Sequence, residues 1–153
     1  MSPAYTIDKL DRKILALISK NARIPYLEVA RECNVSGAAI HQRIQRLFDH
    51  GIITGSEFII DYKKIGYSTY AFMGVYLEKA SYFKNVMNEL EKIPEIIECH
   101  YTTGNYSIFV KILTKNNDHL KDIIADKLQS INGISRTESF ISLEERIKRQ
   151  LPI

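Results

Sequence analysis

The chain has 153 residues, two cysteines and a formal net charge of +3. The N-terminus has no signal-peptide features, and no apolar run approaches bilayer length, which predicts a cytoplasmic protein without a membrane anchor. Cys33 and Cys99 have no partner at metal-ligand spacing and the histidines do not cluster, so we expect buried thiols and no structural metal.

Two helical patterns open the chain. The first has apolar residues spaced along one helical face, namely Leu10, Ile14, Leu17 and Ile18. Acids lie near its start and bases near its end, as the helix dipole favours: Asp8, Asp11, Lys20 and Arg23. Pro25 suits the first position of the second helix, and Asn34 can adopt the left-handed conformation that ends it.

A third helix is predicted within the segment from Val35 to Gly51. Ser36 is a good N-cap, and the apolar seam that follows consists of Ile40, Ile44 and Leu47. An isolated amphipathic surface helix would show the same pattern. However, only Val35 separates the end of the second helix from the Ser36 cap, which is the short connection of a helix-turn-helix.

The face opposite this seam suits a DNA major groove, because small and hydrogen-bonding residues are followed by arginine and no acid interrupts them. We predict DNA contacts by Ser36, Gly37, Ala38, His41, Gln42, Gln45 and Arg46. The glutamines can pair with adenine edges, the histidine with guanine or a phosphate, and the alanine with a thymine methyl. Ser36 and Arg46 can hold phosphates. Arg43 points nearer the core, where it can bridge to another helix.

After Gly51, β-prone residues interrupted by Thr54-Gly55-Ser56 predict a small hairpin or wing. We therefore expect a winged helix-turn-helix DNA-binding domain over residues 1–61, a linker over 62–66 and a second domain over 67–153. Residues 1–62 carry eight basic and seven acidic side chains, so DNA binding has to depend on the placement of charge.

The second half alternates strand and helix patterns. Strands are predicted over Tyr67–Lys79, Ile96–Thr103, Tyr106–Thr114 and Ile134–Leu143, with amphipathic helices around Phe83–Leu90 and Leu120–Leu128. Gly104-Asn105 predicts a two-residue hairpin between the two middle strands. The order βαββαβ is the ferredoxin-like arrangement, and the whole chain is therefore placed in the α+β class.

Both faces of this sheet are predicted to be apolar. The first strand has Met73 and Val75 on one face and Phe72 and Tyr76 on the other. Helices cover one face, and an exposed apolar patch of this size usually marks an interface. We expect a homodimer formed sheet to sheet, whose twofold symmetry matches a helix-turn-helix protein that binds two DNA half-sites. A monomer with scattered surface aromatics is the alternative.

The chain resembles the leucine-responsive/asparagine regulator (Lrp/AsnC) family of prokaryotic transcription factors, most closely its asparagine branch. The similarity is carried in order by Leu10–Arg23, Val35–Gly55, Tyr101–Ile112 and Arg136–Leu143. It implies a winged helix-turn-helix joined to a ferredoxin-like amino-acid-sensing (RAM) domain. It also implies dimers that assemble further, for example into octamers, and no cofactor other than a small amino-acid effector.

In this family the effector binds between dimers, near the hairpin of the second and third strands. The resemblance therefore implies effector contacts by Tyr101, Thr102, Thr103, Gly104, Asn105, Tyr106 and Ser107. Many members have an acid where this chain has Ser107, which makes a leucine-type response less expected and asparagine the first candidate. Without the resemblance, the same residues would indicate only a tight hairpin turn.

Two other functions are compatible with parts of this sequence. Some enzymes share the βαββαβ order, but the arginine-asparagine pair of acylphosphatases and a nucleophile-base constellation are both missing, so we do not expect an enzyme. The other is an amino-acid-sensing or interaction module that has lost DNA binding, which the modest charge of the first domain leaves open.

Overall fold

The computed structural model describes residues 5–153, and residues 1–4 of the first predicted domain lie outside this range. The described chain separates into two compact units. One contains the residues up to Ile59 together with Ile147–Ile153, and the other is Ile60–Arg146.

Three helices form the first unit: α1 (Lys9–Lys20), α2 (Tyr26–Cys33) and α3 (Gly37–Asp49). Asp8 caps α1 in a reciprocal capping box with Asp11. Asn34 ends α2 in the left-handed conformation with φ 56°, as predicted. Pro25 is the N-cap of α2 and not its first helical residue, since its backbone is extended and its carbonyl accepts the first bonds of the helix.

The core of the first unit lies between these helices. The apolar seam of α3 is buried as predicted, and it packs with residues of α1 and α2; the buried side chains are Ile14, Leu15, Val29, Ala30, Ile40, Ile44 and Leu47. Burial of this seam fixes the rotation of α3, because its opposite face must then point to solvent.

The predicted wing is wrong, because no strand is assigned between Gly51 and Asp61. The backbone N–H groups of Ile52 and Ile53 both donate to the Leu47 carbonyl, at 2.9 and 3.1 Å. These β-prone residues therefore close the end of α3 and pack on the core of the unit. The residues that follow have no regular structure and are exposed, with Ile59 91% exposed.

The segment predicted as a linker forms a single 3-10 turn, Tyr62–Ile65, within the second unit. The Asp61 side chain accepts a hydrogen bond from the Lys63 N–H at 3.2 Å and starts the turn. Gly66 ends it with φ 95°, a conformation that favours glycine.

A four-stranded antiparallel sheet forms the second unit. Its strands are β1 (Thr69–Leu77), β2 (Ile96–Tyr101), β3 (Ile108–Thr114) and β4 (Ile134–Ile141), in the order β2-β3-β1-β4. The helices α4 (Phe83–Leu90) and α5 (Asn117–Asp122) follow β1 and β3. This is the predicted ferredoxin-like βαββαβ topology.

The two sheet faces differ as the alternation predicts. The core-side residues of β1 and β3 pack with both helices and are fully buried: Ala71, Met73, Val75, Ile108, Val110 and Ile112. Their neighbours Phe72, Tyr76 and Phe109 lie on the other face and are partly exposed. We call this second face the open face, since the helices of this unit pack on the opposite one.

The predicted last helix changes its winding after Asp122, where α5 continues as a π-helical segment, Ile123–Leu128. The Gln129 N–H donates to the Ile124 carbonyl at 3.0 Å, which is the five-residue spacing of a π turn. Ile123 and Leu128 are five residues apart, and the wider winding allows both side chains to be buried.

Candidate functional site

The exposed face of α3 is the first candidate site. Ser36 caps the helix by accepting a hydrogen bond from the Ala39 N–H at 3.2 Å. Six of the seven predicted DNA-contact residues are exposed on this face: Ser36, Ala38, His41, Gln42, Gln45 and Arg46. Gly37 is half-buried, and a Cβ at this position would come within 3.2 Å of Leu27. The first turn of α3 therefore fits tightly against α2.

Besides Ser36, two of these side chains have partners in the first unit. Gln45 Nε2 donates to Asp49 Oδ1 at 2.9 Å, one turn further along the helix. The His41 ring makes an edge-to-face contact with Tyr26, with 5.2 Å between ring centroids. Both contacts are at the surface, so either side chain can exchange its partner for a ligand without exposing a buried group.

Arg43 lies on the side of α3 that faces α1, as its position in the sequence predicts. Its Nη1 atom contacts the carboxylates of Asp8 and Asp11, and the Asp11 contact is 3.1 Å long. The Asp11 N–H and then the Arg43 guanidinium hold the pKa of Asp8 below its usual value. Asp11 itself is fully buried and also accepts from the Tyr5 hydroxyl at 2.9 Å. Arg43 thus bridges α3 to α1.

The second candidate site is the loop between β2 and β3. The Thr102 N–H donates to the Ser107 carbonyl at 3.1 Å, and the Thr102 hydroxyl donates to the Tyr106 carbonyl at 2.7 Å. Residues 103–106 therefore form a four-residue loop, wider than the predicted two-residue turn. Gly104 at its tip has φ 105°, which favours glycine.

The backbone N–H groups of residues 103–106 make no hydrogen bond within the described chain. Residues 103–105 are exposed and Tyr106 is half-buried. Consecutive free N–H groups in such a turn can bind an anionic group such as a carboxylate. We call residues 103–106 the hairpin loop.

Tyr106 explains why the loop is wider than predicted. Its ring lies on the open face directly over β1, where a Cβ on Gly74 would come within 2.3 Å of it. Its hydroxyl donates to Glu138 Oε2 on β4 at 2.9 Å, and the Tyr76 hydroxyl donates to the same oxygen at 3.4 Å. The hydrogen bond to Glu138 is the main cause that raises the pKa of Tyr106 to about 12.

The other predicted effector residues differ in their surroundings. The Tyr101 ring packs on Phe83 of α4, with 4.5 Å between centroids. The Ser107 N–H donates to the Val75 carbonyl at 3.2 Å and fixes the base of the hairpin on β1. Glu138 and Tyr76 were not predicted at this site, because the strand order and register that bring them to Tyr106 are not visible in the sequence.

Aromatic side chains cover the centre of the open face. The rings of Phe72 and Phe109 stack with 6.0 Å between centroids, and Tyr106 contacts both Phe109 and Phe140. Phe140 is 43% exposed. The aromatic patch predicted on this face is therefore present and accessible in a single chain.

Two open hollows lie elsewhere on the described residues. An open hollow of about 540 Å³ lies between α4 and the π-helical segment, and one of about 530 Å³ lies at the turn between α2 and α3. Neither is lined by the hairpin loop. Within residues 5–153 no three potential metal ligands come together, and no helix is long and apolar enough to cross a membrane.

Comparison with known proteins gives concordant matches for both units. Residues 7–47 match the AsnC-type helix-turn-helix domain, and residues 70–152 match the Lrp/AsnC ligand binding domain. The regulatory protein AsnC of Haemophilus influenzae is 42% identical over 147 residues, which cover 96% of this chain and 98% of that protein.

Solved structures agree with these matches. The structure of Escherichia coli AsnC superposes with a TM-score of 0.94 at 38% identity, covering 97% of this chain and all (100%) of that one. A Neisseria meningitidis transcriptional regulator in complex with L-Met has the same fold, with a TM-score of 0.90 at 23% identity and 94% coverage of both chains.

Proposed function

Because the chain belongs to the Lrp/AsnC family of transcriptional regulators, we propose that a small amino acid bound at its hairpin loop controls its activity on DNA. Relatives over nearly the whole chain are named regulatory proteins or HTH-type transcriptional regulators. The chain is therefore a DNA-binding transcriptional regulator and not an enzyme, as predicted. We infer that it acts in the cytoplasm, because regulators of this family act on DNA.

The free N–H groups of the hairpin loop are the observation that carries the effector proposal. Four consecutive donors in an exposed turn suit the α-carboxylate of an amino acid, and Gly104 lets a ligand approach the backbone closely. The structural neighbour from N. meningitidis is a complex with L-Met, which supports an amino acid as the class of ligand. Asparagine is our first candidate, since the chain resembles the asparagine branch.

The hairpin loop is open to solvent in a single chain, whereas small ligands are usually bound in clefts that enclose most of their surface. We propose that a second dimer completes the pocket. The ligand then contributes to the contact between dimers and shifts their association, because it binds the assembled state better than the separate dimers. Assembly begins with a dimer formed through the open face, and octamers are the expected end state.

DNA recognition is assigned to the exposed face of α3. Gln42 and Gln45 contact adenine edges, and Gln45 releases its surface bond to Asp49 to do so. His41 contacts a guanine or a phosphate, and Ala38 contacts a thymine methyl. Ser36, Gly37 and the α3 N-terminus bind one phosphate and Arg46 another.

Thermal denaturation of the full chain with each of the twenty amino acids at millimolar concentration tests the effector proposal. An amino acid present at 100 times its Kd adds about 2.7 kcal/mol to the free energy of unfolding, and this raises the Tm by several degrees. We expect a shift with L-asparagine and a smaller one, or none, with L-aspartate. If none of the twenty amino acids changes the Tm, the effector proposal is wrong.

A matched pair of glycine variants locates the site. Gly104→Ala strains the loop at φ 105°, by about 1–3 kcal/mol, and should abolish the asparagine-dependent shift. Gly55→Ala is the control. An alanine Cβ at position 55, like one at position 104, would have no atom within 4 Å, but the φ of Gly55 is not positive. An equal asparagine-dependent shift in both variants would place the ligand elsewhere.

A further inference from the structure

A side-chain contact joins the hairpin loop to the far side of the sheet. β3 and β4 flank β1, with Phe109 and Glu138 both opposite Gly74. Tyr106, the last residue of the loop, extends over Gly74 and reaches Glu138 at 2.9 Å. A loop residue is therefore tied to a strand that has no backbone pairing with the hairpin.

The surroundings of Tyr106 leave its side chain little freedom. The missing side chain of Gly74 provides the space for the ring, and Tyr76, Phe109 and Phe140 contact it from other directions. A phenol that donates to a carboxylate makes one of the stronger kinds of hydrogen bond. Since Tyr106 precedes the hydrogen-bonded base of the hairpin, this anchor also restricts the backbone of residues 103–106.

We propose that Glu138 is a positioning residue for the amino-acid effector: acting through Tyr106, it holds the hairpin loop with its free N–H groups presented to the ligand. This inference rests on the proposed effector function of the loop. It assigns no direct ligand contact to Tyr106 or Glu138, because the phenol proton and the carboxylate oxygen are already bonded to each other. The anchor lowers the cost of ordering the loop when the ligand binds.

Four substitutions can distinguish a positioning role of Glu138 from a direct contact with the ligand and from a contact that only stabilises the fold. Tyr106→Phe keeps the ring and removes the anchor, and Glu138→Ala removes its acceptor. Glu138→Gln keeps an acceptor oxygen without the charge and should restore most of the function. Tyr76→Phe is the matched control, since it removes only the longer 3.4 Å bond to the same oxygen.

Isothermal titration with L-asparagine measures the effect on binding. We expect Tyr106→Phe and Glu138→Ala each to raise the Kd about 10-fold, the size of one charge-assisted hydrogen bond. The double variant should bind no worse than either single variant, because both remove the same interaction. Glu138→Gln should stay within about 3-fold of the parent and Tyr76→Phe within about 2-fold.

Amide hydrogen exchange gives a readout that needs no ligand. The N–H groups of Thr102 and Ser107 are bonded at the base of the hairpin, and their exchange should accelerate in Tyr106→Phe and Glu138→Ala but not in Tyr76→Phe. If the parent protein binds no amino acid, the effector proposal is wrong. The exchange rates would still show whether the hydrogen bond between Tyr106 and Glu138 holds the loop.

Three results would overturn the positioning role. One is an unchanged Kd and unchanged exchange in Glu138→Ala. Another is a lower Tm with an unchanged Kd, which indicates a contact that only stabilises the fold. The third is a Glu138→Gln variant as defective as Glu138→Ala, because the charge would then act on the ligand directly.

Discussion

Arg43 and Arg46 lie three residues apart in the sequence of α3 but have different surroundings. Arg43 contacts Asp8 and Asp11, whereas the Arg46 side chain makes no hydrogen bond or ion pair with residues 5–153 and is exposed on the predicted DNA face. An exposed guanidinium without a carboxylate partner can bind a phosphate without first losing another interaction. Two arginines of one helix therefore have different roles.

Replacing Arg46 tests its contact with the DNA backbone. Arg46→Ala should weaken binding to every DNA sequence and lower the slope of log K against log salt by about 1, since one phosphate contact is lost. Fluorescence anisotropy with a labelled duplex at several salt concentrations measures both effects. Arg12→Ala, an exposed arginine on α1, is the control; equal slopes in the two variants would remove Arg46 from the interface.

At the scale of elements, the orientation of α3 depends on an ion cluster as well as on apolar packing. The cluster joins the middle of α3 to the start of α1 through Arg43 and the buried Asp11. The Tyr5 ring also stacks on His50 at the end of α3, with 4.6 Å between centroids. The start of α1 and the residues before it thus hold α3 at two places.

Loss of the Arg43 side chain should destabilise the first unit. Arg43→Ala leaves the buried Asp11 carboxylate without its cation, which costs about 1–3 kcal/mol and lowers the Tm by several degrees. Circular dichroism during heating measures the change, and Arg46→Ala, from the exposed face of the same helix, is the control. A Tm as high as that of Arg46→Ala would show that the cluster contributes little.

Acid should weaken the same cluster. The folded-state pKa of Asp8 lies below its unfolded value, so its contribution is complete above about pH 4 and is lost as the pH falls through the folded pKa. Asp8→Asn keeps a good N-cap without the charge. Urea denaturation measures the free energy of unfolding of both proteins between pH 7 and pH 3. The parent protein should be more stable than Asp8→Asn at pH 7, and this difference should become smaller as the pH falls. A constant difference would contradict this assignment.

For the whole molecule, we propose that copies of the chain associate through the open face. Its aromatic patch includes Phe72, Phe109 and Phe140, and an interface formed there would cover the rings from both chains. The anchor between Tyr106 and Glu138 lies on this same face. The proposed interface is therefore continuous with the residues that position the hairpin loop.

Introducing a charge into the patch should dissociate the dimer. Phe140→Asp places a carboxylate where a second sheet would pack, and desolvating it is unfavourable. Sedimentation velocity should then show monomers at concentrations where the parent protein is dimeric or larger. Phe48→Asp is the control, because Phe48 is also 43% exposed but lies on α3 in the first unit. An unchanged assembly in Phe140→Asp would exclude the open face as the interface.

Local signals in the sequence were sufficient for the helix-turn-helix and for the strand and helix order. Capping by Asn34 and Ser36 depends on neighbouring backbone groups, so residue type and position predict it. The alternation in β1 and the apolar seam of α3 likewise follow from the geometry of a strand and a helix. Arg43 was also placed correctly, because the angle between helical positions requires only the helix itself.

The tertiary structure alone decided the features that depend on distant partners. Ile52 and Ile53 have strong strand propensity, but the available Leu47 carbonyl and the core of the first unit fix them as the end of α3. Likewise, Gly104-Asn105 predicts a two-residue turn, but Tyr106 is held over β1 by Glu138 and widens the loop. Tyr106 and Glu138 are 32 residues apart in sequence, and only the register of β1 with its two neighbouring strands brings them together. Local propensity thus determined which elements form, and long-range packing determined how their ends and loops are arranged.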